Sequence, residues 1–366
     1  NFMGGVFQQT PAARQAFDVF AIHPFIPTER PDAPNIPRLI TVEGRIRNTR
    51  GWLDAPQNGR GDAPIWVTEI GWCTATGACP GGIQISEAQQ ADYLIRSMVI
   101  AQQNGVQHTS WFQFEDAFDD PNRLWSNAAI VRNYSSQTAS YPPKPAYTAY
   151  RTLARLLAPA TPAGAGPLHT HVYDPGKPYD PSGNATYDYR YVCGSETVDV
   201  LWRPADTIQA TLPVAAGKQV TLIRGDGTQQ TLTPAGGGVA LTIAQSPILI
   251  RQADPPQIAV SPTSVTLLAQ LGAATAAGSL QIDGSGCQPL AWTASATGAA
   301  LTLGATSGVT PAGLPIAADV QGLPVGTHAL GSVTVTGADG AGVATRQVRV
   351  VVVETLYRSY LPAIRR

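Results

Sequence analysis

The sequence predicts a multidomain chain: three β-α units of a partial (β/α)8 barrel, then two all-β sandwich domains. Three observations predict it. Over residues 1–160, apolar β-rich runs alternate with helical patterns, as in a parallel sheet covered by helices. Beyond residue 166 the helical period stops, and short alternating runs are separated by Gly, Pro and Asp clusters. The composition is turn-rich, with 36 Gly and 31 Pro in 366 residues and only 13% charged residues, against an ordinary ~25%.

Residues 17–25 (FDVFAIHPF) read as the first strand, and 38–53 as a helix carrying Leu39, Val42, Ile46 and Leu53 on one face. The next strand is 65–69. Ser86 opens a helix, with Gln89 three residues on as a capping box. Ala91, Leu94, Ile95, Met98 and Val99 form its buried stripe, and Asn104-Gly105 ends it. Residues 108–114 are the third strand. Pro145 starts a last helix through Tyr147, Tyr150, Leu153 and Leu157, and Pro159 stops it. A closed barrel needs eight units and roughly 250 residues, so about five units are expected before Asn1. The start at Asn1-Phe2, without Met, reads as a processing or truncation point.

Residues 161–166 (TPAGAG) read as a linker. Strands at 187–192, 198–202, 219–223, 240–243 and 248–251, with a hairpin turn at Gly225-Asp226-Gly227, make 167–254 a β-sandwich. Asp254-Pro255-Pro256 marks the next boundary. Short strands over 257–354 predict an immunoglobulin-like sandwich. Residues 355–366 remain as a surface or sorting tail.

The net charge of −1 points to no nucleic acid and no acidic membrane surface. No apolar run approaches the ~20 residues of a membrane span. Cys73 and Cys79 flank a Gly-containing loop. A local disulfide is the favoured reading and places the chain outside the cell or on its surface, with two free thiols as the alternative. Cys193 and Cys287 fall in different predicted domains, and their pairing stays open. Without His or a second Cys pair at ligand spacing, neither a metal nor a cofactor is expected.

The segment 64–72 (PIWVTEIGW) carries the most chemical information. An apolar run ends on Glu69, which sets a carboxylate at the C-terminal rim of a barrel, where such folds keep their chemistry. Strand alternation predicts that Val67 and Ile65 share the face of Glu69 toward the barrel mouth, while Trp66 and Thr68 face the helices. His23 ends the first strand and is followed by Pro24. Trp72, Trp111 and Trp125 are candidates to stack on a ring-shaped ligand, the alternative being ordinary core packing. Trp66, Trp202 and Trp292 are assigned to packing. Glu115 has two readings: a contact to a ligand hydroxyl, or a solvated loop carboxylate. Asn133-Tyr134-Ser135 and Asn184-Ala185-Thr186 match the glycosylation acceptor pattern, without meaning in a bacterial chain.

Taken in order, FDVFAIHPF, PIWVTEIGW and HTSWFQFED resemble strands six, seven and eight of the retaining glycoside hydrolases of clan A, with family 39 and its cellulase-like neighbours nearest. The resemblance covers about residues 1–155. It implies that Glu69 is the nucleophile, that His23 contacts the nucleophile region, and that Trp111 floors the sugar subsite at the cleavage point. The family's acid/base is a Glu after an Asn at the end of strand four, which this chain lacks. Where the family often has a Tyr, this chain has Phe25. The expected activity is hydrolysis of O-glycosidic bonds in a polysaccharide or oligosaccharide by double displacement, with the chain alone incomplete and inactive. The competing expectation is a non-catalytic, surface-attached carbohydrate-binding or adhesive protein with a degenerate barrel.

Overall fold

The computed structural model describes residues 2–26, 30–32, 41–74, 79, 85–116, 125–134, 139–174 and 184–356. The chain divides into two compact units, Asn1–Ala253 and Asp254–Arg366.

The first unit opens with α1 (Phe2–Gln9) and alternates through β1 (Phe20–Ile22), α2 (Val42–Asp54), β2 (Ile65–Ile70), α3 (Glu87–Gln103), β3 (Val106–Trp111) and α4 (Pro145–Leu157). The three strands form a parallel sheet in chain order, which requires the helical crossovers between them. Local signals set the helix starts. The Thr41 hydroxyl accepts the Gly44 N–H at 3.0 Å, Ser86 and Gln89 complete the capping box before α3, and Pro145 occupies the first turn of α4.

The phase of β2 is opposite to the expected one. Ile65 and Val67 are buried, in one apolar cluster with Val42, Ile46 and Leu53 of α2, Leu94, Ile95 and Val99 of α3, and Leu153 and Leu157 of α4. Trp66 lies on the other face, 39% exposed, with its ring 5.1 Å from that of His108. The helices supply the apolar cover, so the aliphatic side chains turn toward them. Trp66 therefore stays partly in solvent beside its strand neighbour His108.

Residues 161–166 are not a free linker. β4 (Thr161–Ala165) pairs antiparallel with β5 (Tyr187–Cys193). The chain continues through β6 (Glu196–Trp202), β7 (Ile208–Pro213), β8 (Gln219–Arg224), β9 (Gln229–Leu232), β10 (Gly238–Ile243) and β11 (Ile248–Ala253). One six-stranded sheet has the order β4-β5-β6-β11-β8-β9, and β7 pairs with β10. The larger sheet is apolar on both faces. Tyr187, Tyr189, Tyr191, Val198, Val200 and Trp202 join the cluster with α3 and α4. Leu201, Leu222 and Ile250 pack with Leu212, Leu241 and Ile243 of β7 and β10.

Buried polar contacts tie this sheet to the β-α layer. Asp32 forms an ion pair with Arg96 at 3.1 Å and accepts the Trp202 indole N–H at 2.9 Å, while Arg96 also donates to the Gln245 carbonyl. His171 Nε2 meets Glu43 Oε2 at 2.8 Å. The Tyr187 ring stacks on both His171, at 4.3 Å, and Trp202, at 4.8 Å. Asp188 anchors the segment after β4. Its carbonyl accepts the Gly166 N–H at 2.7 Å, and its carboxyl accepts the Leu168 N–H at 2.8 Å. Burial, reinforced by the nearby Asp199 carboxylate, pushes the Asp188 carboxyl up to about 7.

The second unit is a two-sheet β-sandwich. Its strands are β12 (Ile258–Ser261), β13 (Ser264–Gln270), β14 (Thr275–Gly284), β15 (Ala291–Thr297), β16 (Leu301–Leu303), β17 (Ser307–Val309), β18 (Ala312–Asp319), β19 (Gly326–Gly337) and β20 (Val343–Val353). The sheets run β12-β14-β18-β16 and β13-β20-β19-β15-β17. Leu280, Ile282, Trp292, Leu314, Val333 and Val350 fill the core between them, as alternation within each strand demands.

Candidate active site

Glu69 stands at the end of β2, the central strand of the parallel sheet. The ladder to β3 slips between Val67 and Ile70. That slip breaks strict alternation, so the consecutive residues Thr68 and Glu69 both reach His23, just past β1. The Thr68 hydroxyl lies 2.9 Å from His23 Nε2, and Glu69 Oε2 lies 3.6 Å from His23 Nδ1. His23 thus faces the Thr68 hydroxyl with one ring nitrogen and the Glu69 carboxylate with the other. Both side chains of the His23–Glu69 pair are about half exposed, so the carboxylate remains open to a ligand.

The ends of β2 and β3 come close because residue 71 is Gly. The Phe112 N–H donates to the Ile70 carbonyl at 2.8 Å, and a Cβ at Gly71 would collide with the Phe112 carbonyl oxygen. This approach sets Trp111 beside the Glu69 strand. Trp111 is partly buried, with its Nε1–H donating to the Ala128 carbonyl at 3.0 Å. Trp72 does not fit its expected role in stacking on sugar. It is fully buried, between Tyr93 at 5.6 Å and Trp111 at 5.8 Å. It backs Trp111 and presents no face to solvent. Gln90 of α3 fixes the layer by donating to the carbonyls of Trp72 and Ala128.

Cys73 and Cys79 are joined by a disulfide, with Cα atoms 5.7 Å apart. Together with Ala128 they form a small buried cluster against Phe112 and Trp125. Trp125 packs on Phe25 at 4.9 Å, and Phe25 packs edge-on against His23 at 6.2 Å. An aromatic wall thus runs from the disulfide to the His23–Glu69 pair, and Phe25 contributes no hydroxyl to it.

Glu115 is exposed and bridges to Val131 through its backbone. The next residue turns inward. Asp116 is buried in an ion pair with Lys144 at 2.7 Å and accepts the Ala129 N–H at 3.0 Å. Burial pushes the Asp116 carboxyl up and the Lys144 amine down, each against the pull of the other's charge. The sequence reading did not connect these two residues. The signal was a Lys at the N-cap of a Pro-initiated helix. Among the described residues, no three His, Cys, Asp or Glu side chains are grouped to hold a metal ion, and no helix is long and apolar enough to cross a membrane. Of the two glycosylation patterns, Ser135 lies outside the described residues.

No protein-family model matches the sequence, and no curated protein matches it. Similar solved structures are glycoside hydrolases. A family 39 glycoside hydrolase from Bacteroides cellulosilyticus is 21% identical at a TM-score of 0.49, over 66% of this chain and 46% of that one. A family 5 glycoside hydrolase from Bacteroides vulgatus is 9% identical at 0.39, over 66% and 52%. A family 30 endoxylanase from Clostridium papyrosolvens is 13% identical at 0.32, over 54% and 43%. The chain thus spans about half the length of the structures it matches.

Proposed function

We propose that the first unit carries the nucleophile half of a retaining glycosidase site, on the last three units of a (β/α)8 barrel. The observation that carries this reading is the half-exposed Glu69 carboxylate, at the C-terminal end of the central parallel strand and against a His23 ring oriented by Thr68. Glu69 attacks the anomeric carbon of a poly- or oligosaccharide, a C–O bond forms to the carboxylate, and the leaving oxygen departs with the bonding pair and takes a proton. Water then cleaves the glycosyl ester. His23 holds one carboxylate oxygen and leaves the other free to attack. Trp111 offers a flat apolar ring to the sugar, and Glu115 accepts from a hydroxyl.

The mechanism requires a second carboxylate about 5–5.5 Å from the first. Asp116 is engaged by Lys144 and does not serve. No residue matches the acid/base position of the resembling family, so the 366-residue chain is inactive on unactivated glycosides. Measurable turnover by that chain would overturn this point. The Cys73–Cys79 bridge supports an extracellular or cell-surface location. The second unit fits an immunoglobulin-like spacer.

The test of the nucleophile is labelling of the protein with a 2-deoxy-2-fluoro glycoside bearing a dinitrophenyl leaving group, which departs without a proton donor. Peptide mass spectrometry is expected to find the sugar on Glu69. A label on another carboxylate refutes the assignment. A second reading, a non-catalytic glycan binder, is favoured by Phe25, which packs on Trp125 and gives Glu69 no hydrogen bond. It predicts glycan binding and no label anywhere.

A further inference from the structure

Past β3 the backbone folds into a narrow ribbon of three segments. The Val131 N–H donates to the Phe114 carbonyl, Asp116 N–H to Val131, Arg132 N–H to Pro142, and Lys144 N–H to Ile130, all at 2.9–3.0 Å. This ribbon exposes aromatic rings that a fold would ordinarily bury. Phe114 is 65% exposed, Tyr134 54% and Tyr141 49%, and the two tyrosine rings meet edge-on at 5.4 Å. Beside them lies a polar pocket of about 220 Å³, lined by Glu87, Asp116, Asn127, Arg132, Asn133 and Lys144. Its wall offers the side-chain amides of Asn127 and Asn133 together with the ion-paired side chains of Arg132 and Lys144.

The charges of the pocket decide what kind of ligand. Arg132 is paired with Glu87 at 2.6 Å and Lys144 with Asp116 at 2.7 Å. Both cations are already neutralised, so a phosphate or a uronate finds no unpaired positive charge. Side-chain amides and paired ions instead suit hydroxyl groups. Exposed tyrosines suit the C–H faces of sugar rings, since an aromatic ring presents a negative face to a polarised C–H. The pocket is smaller than the ~300 Å³ of a drug-sized site, the scale of one sugar ring.

We propose that this ribbon is a second glycan-binding site, taking a neutral polysaccharide chain across Tyr134 and Tyr141 with one residue in the Asn127 pocket. It deepens the glycosidase reading by naming the charge class of the glycan, and it does not require Glu69 to be a nucleophile. Affinity electrophoresis tests it in gels containing xylan, mannan, mixed-linkage β-glucan or arabinogalactan, with polygalacturonate as the charged control. At least one neutral polysaccharide retards the protein, and Tyr134→Ala/Tyr141→Ala weakens that binding about tenfold. Both rings are exposed, so the double variant should unfold at the wild-type temperature. If it does not, Asn127→Ser carries the test with the same expected loss. Retardation by none of the neutral polysaccharides, retardation by polygalacturonate alone, or unchanged retardation of the variants overturns the proposal. Self-association through the tyrosines, seen as a dimer that the double variant abolishes, also overturns it. Retardation with no label on Glu69 would sink only the nucleophile assignment, and a label without retardation would sink only this site.

Discussion

Replacing Asp188 by Asn removes an ionisable group from the seam where the chain passes from the β-α layer into the six-stranded sheet. The carboxyl is fully buried and accepts one backbone N–H from Leu168, while its Oδ1 meets no donor. Burial and Asp199 raise it from 3.8 to about 7. The folded protein therefore prefers the protonated form. Its stabilising contribution is fully present below pH 4, falls as pH rises, and is lost above 7. Once ionised, such a carboxyl costs on the order of 4 kcal/mol relative to a neutral group. Asn keeps the acceptor for Leu168 and has no charge to bury. Asp188→Asn should thus raise stability at pH 8 by a few kcal/mol and change it little at pH 4. In a unit of this size that is several degrees or more in melting temperature. Thermal unfolding from pH 4 to 9 measures both chains. A variant whose stability tracks the wild type across that range, or falls below it at pH 8, refutes the reasoning.

Gly71→Ala forces a Cβ against the Phe112 carbonyl. It should lower stability by about 1–3 kcal/mol in urea denaturation and slow labelling at Glu69, because the ends of β2 and β3 must part. Lys144→Met strands the buried Asp116 and should cost about 3–5 kcal/mol near neutral pH. The loss should be smaller at pH 4, where the carboxyl, already pushed up by burial, takes a proton; an equal loss at both pH values would exclude a charge effect. His23→Ala should slow labelling about tenfold or more, as expected for loss of a positioned polar group beside a nucleophile, with the melting temperature almost unchanged because the ring is half exposed.

Features written in local hydrogen bonding were legible in the sequence. The capping box at Ser86, the Pro145 start of α4 and the turn at Gly227, whose φ of 82° suits Gly, depend on residues within one turn of each other. The phase of β2 depends on which side receives helices, and no pattern inside six residues carries that information. β4 read as a linker because Thr-Pro-Ala-Gly-Ala has weak strand propensity and all five residues are exposed. Its order comes from β5, more than twenty residues away in sequence. At the site, Glu69 and His23 announced themselves by ending apolar runs. That they share one ring contact needed the slip in the β2–β3 ladder. Trp72 was misread because its burial is set by Tyr93 and Trp111 on neighbouring elements. The tyrosine ribbon went unread because its three segments are joined by contacts between residues far apart in sequence, such as Val131 with Phe114 and Lys144 with Asp116.

The Asp32–Arg96–Trp202 contact bears on how this chain could be recombined. Residues 160–167 look like a seam for exchanging one accessory sheet for another. A cut there would deprive Asp32 of the Trp202 indole and Arg96 of the Gln245 carbonyl. It would also part Glu43 from His171 and bare the apolar sides of α3 and α4. Grafted sheets would have to reproduce every one of these partners. The module that can be inherited or engineered therefore has to run from the β-α layer through the whole sheet, at least to the end of β11.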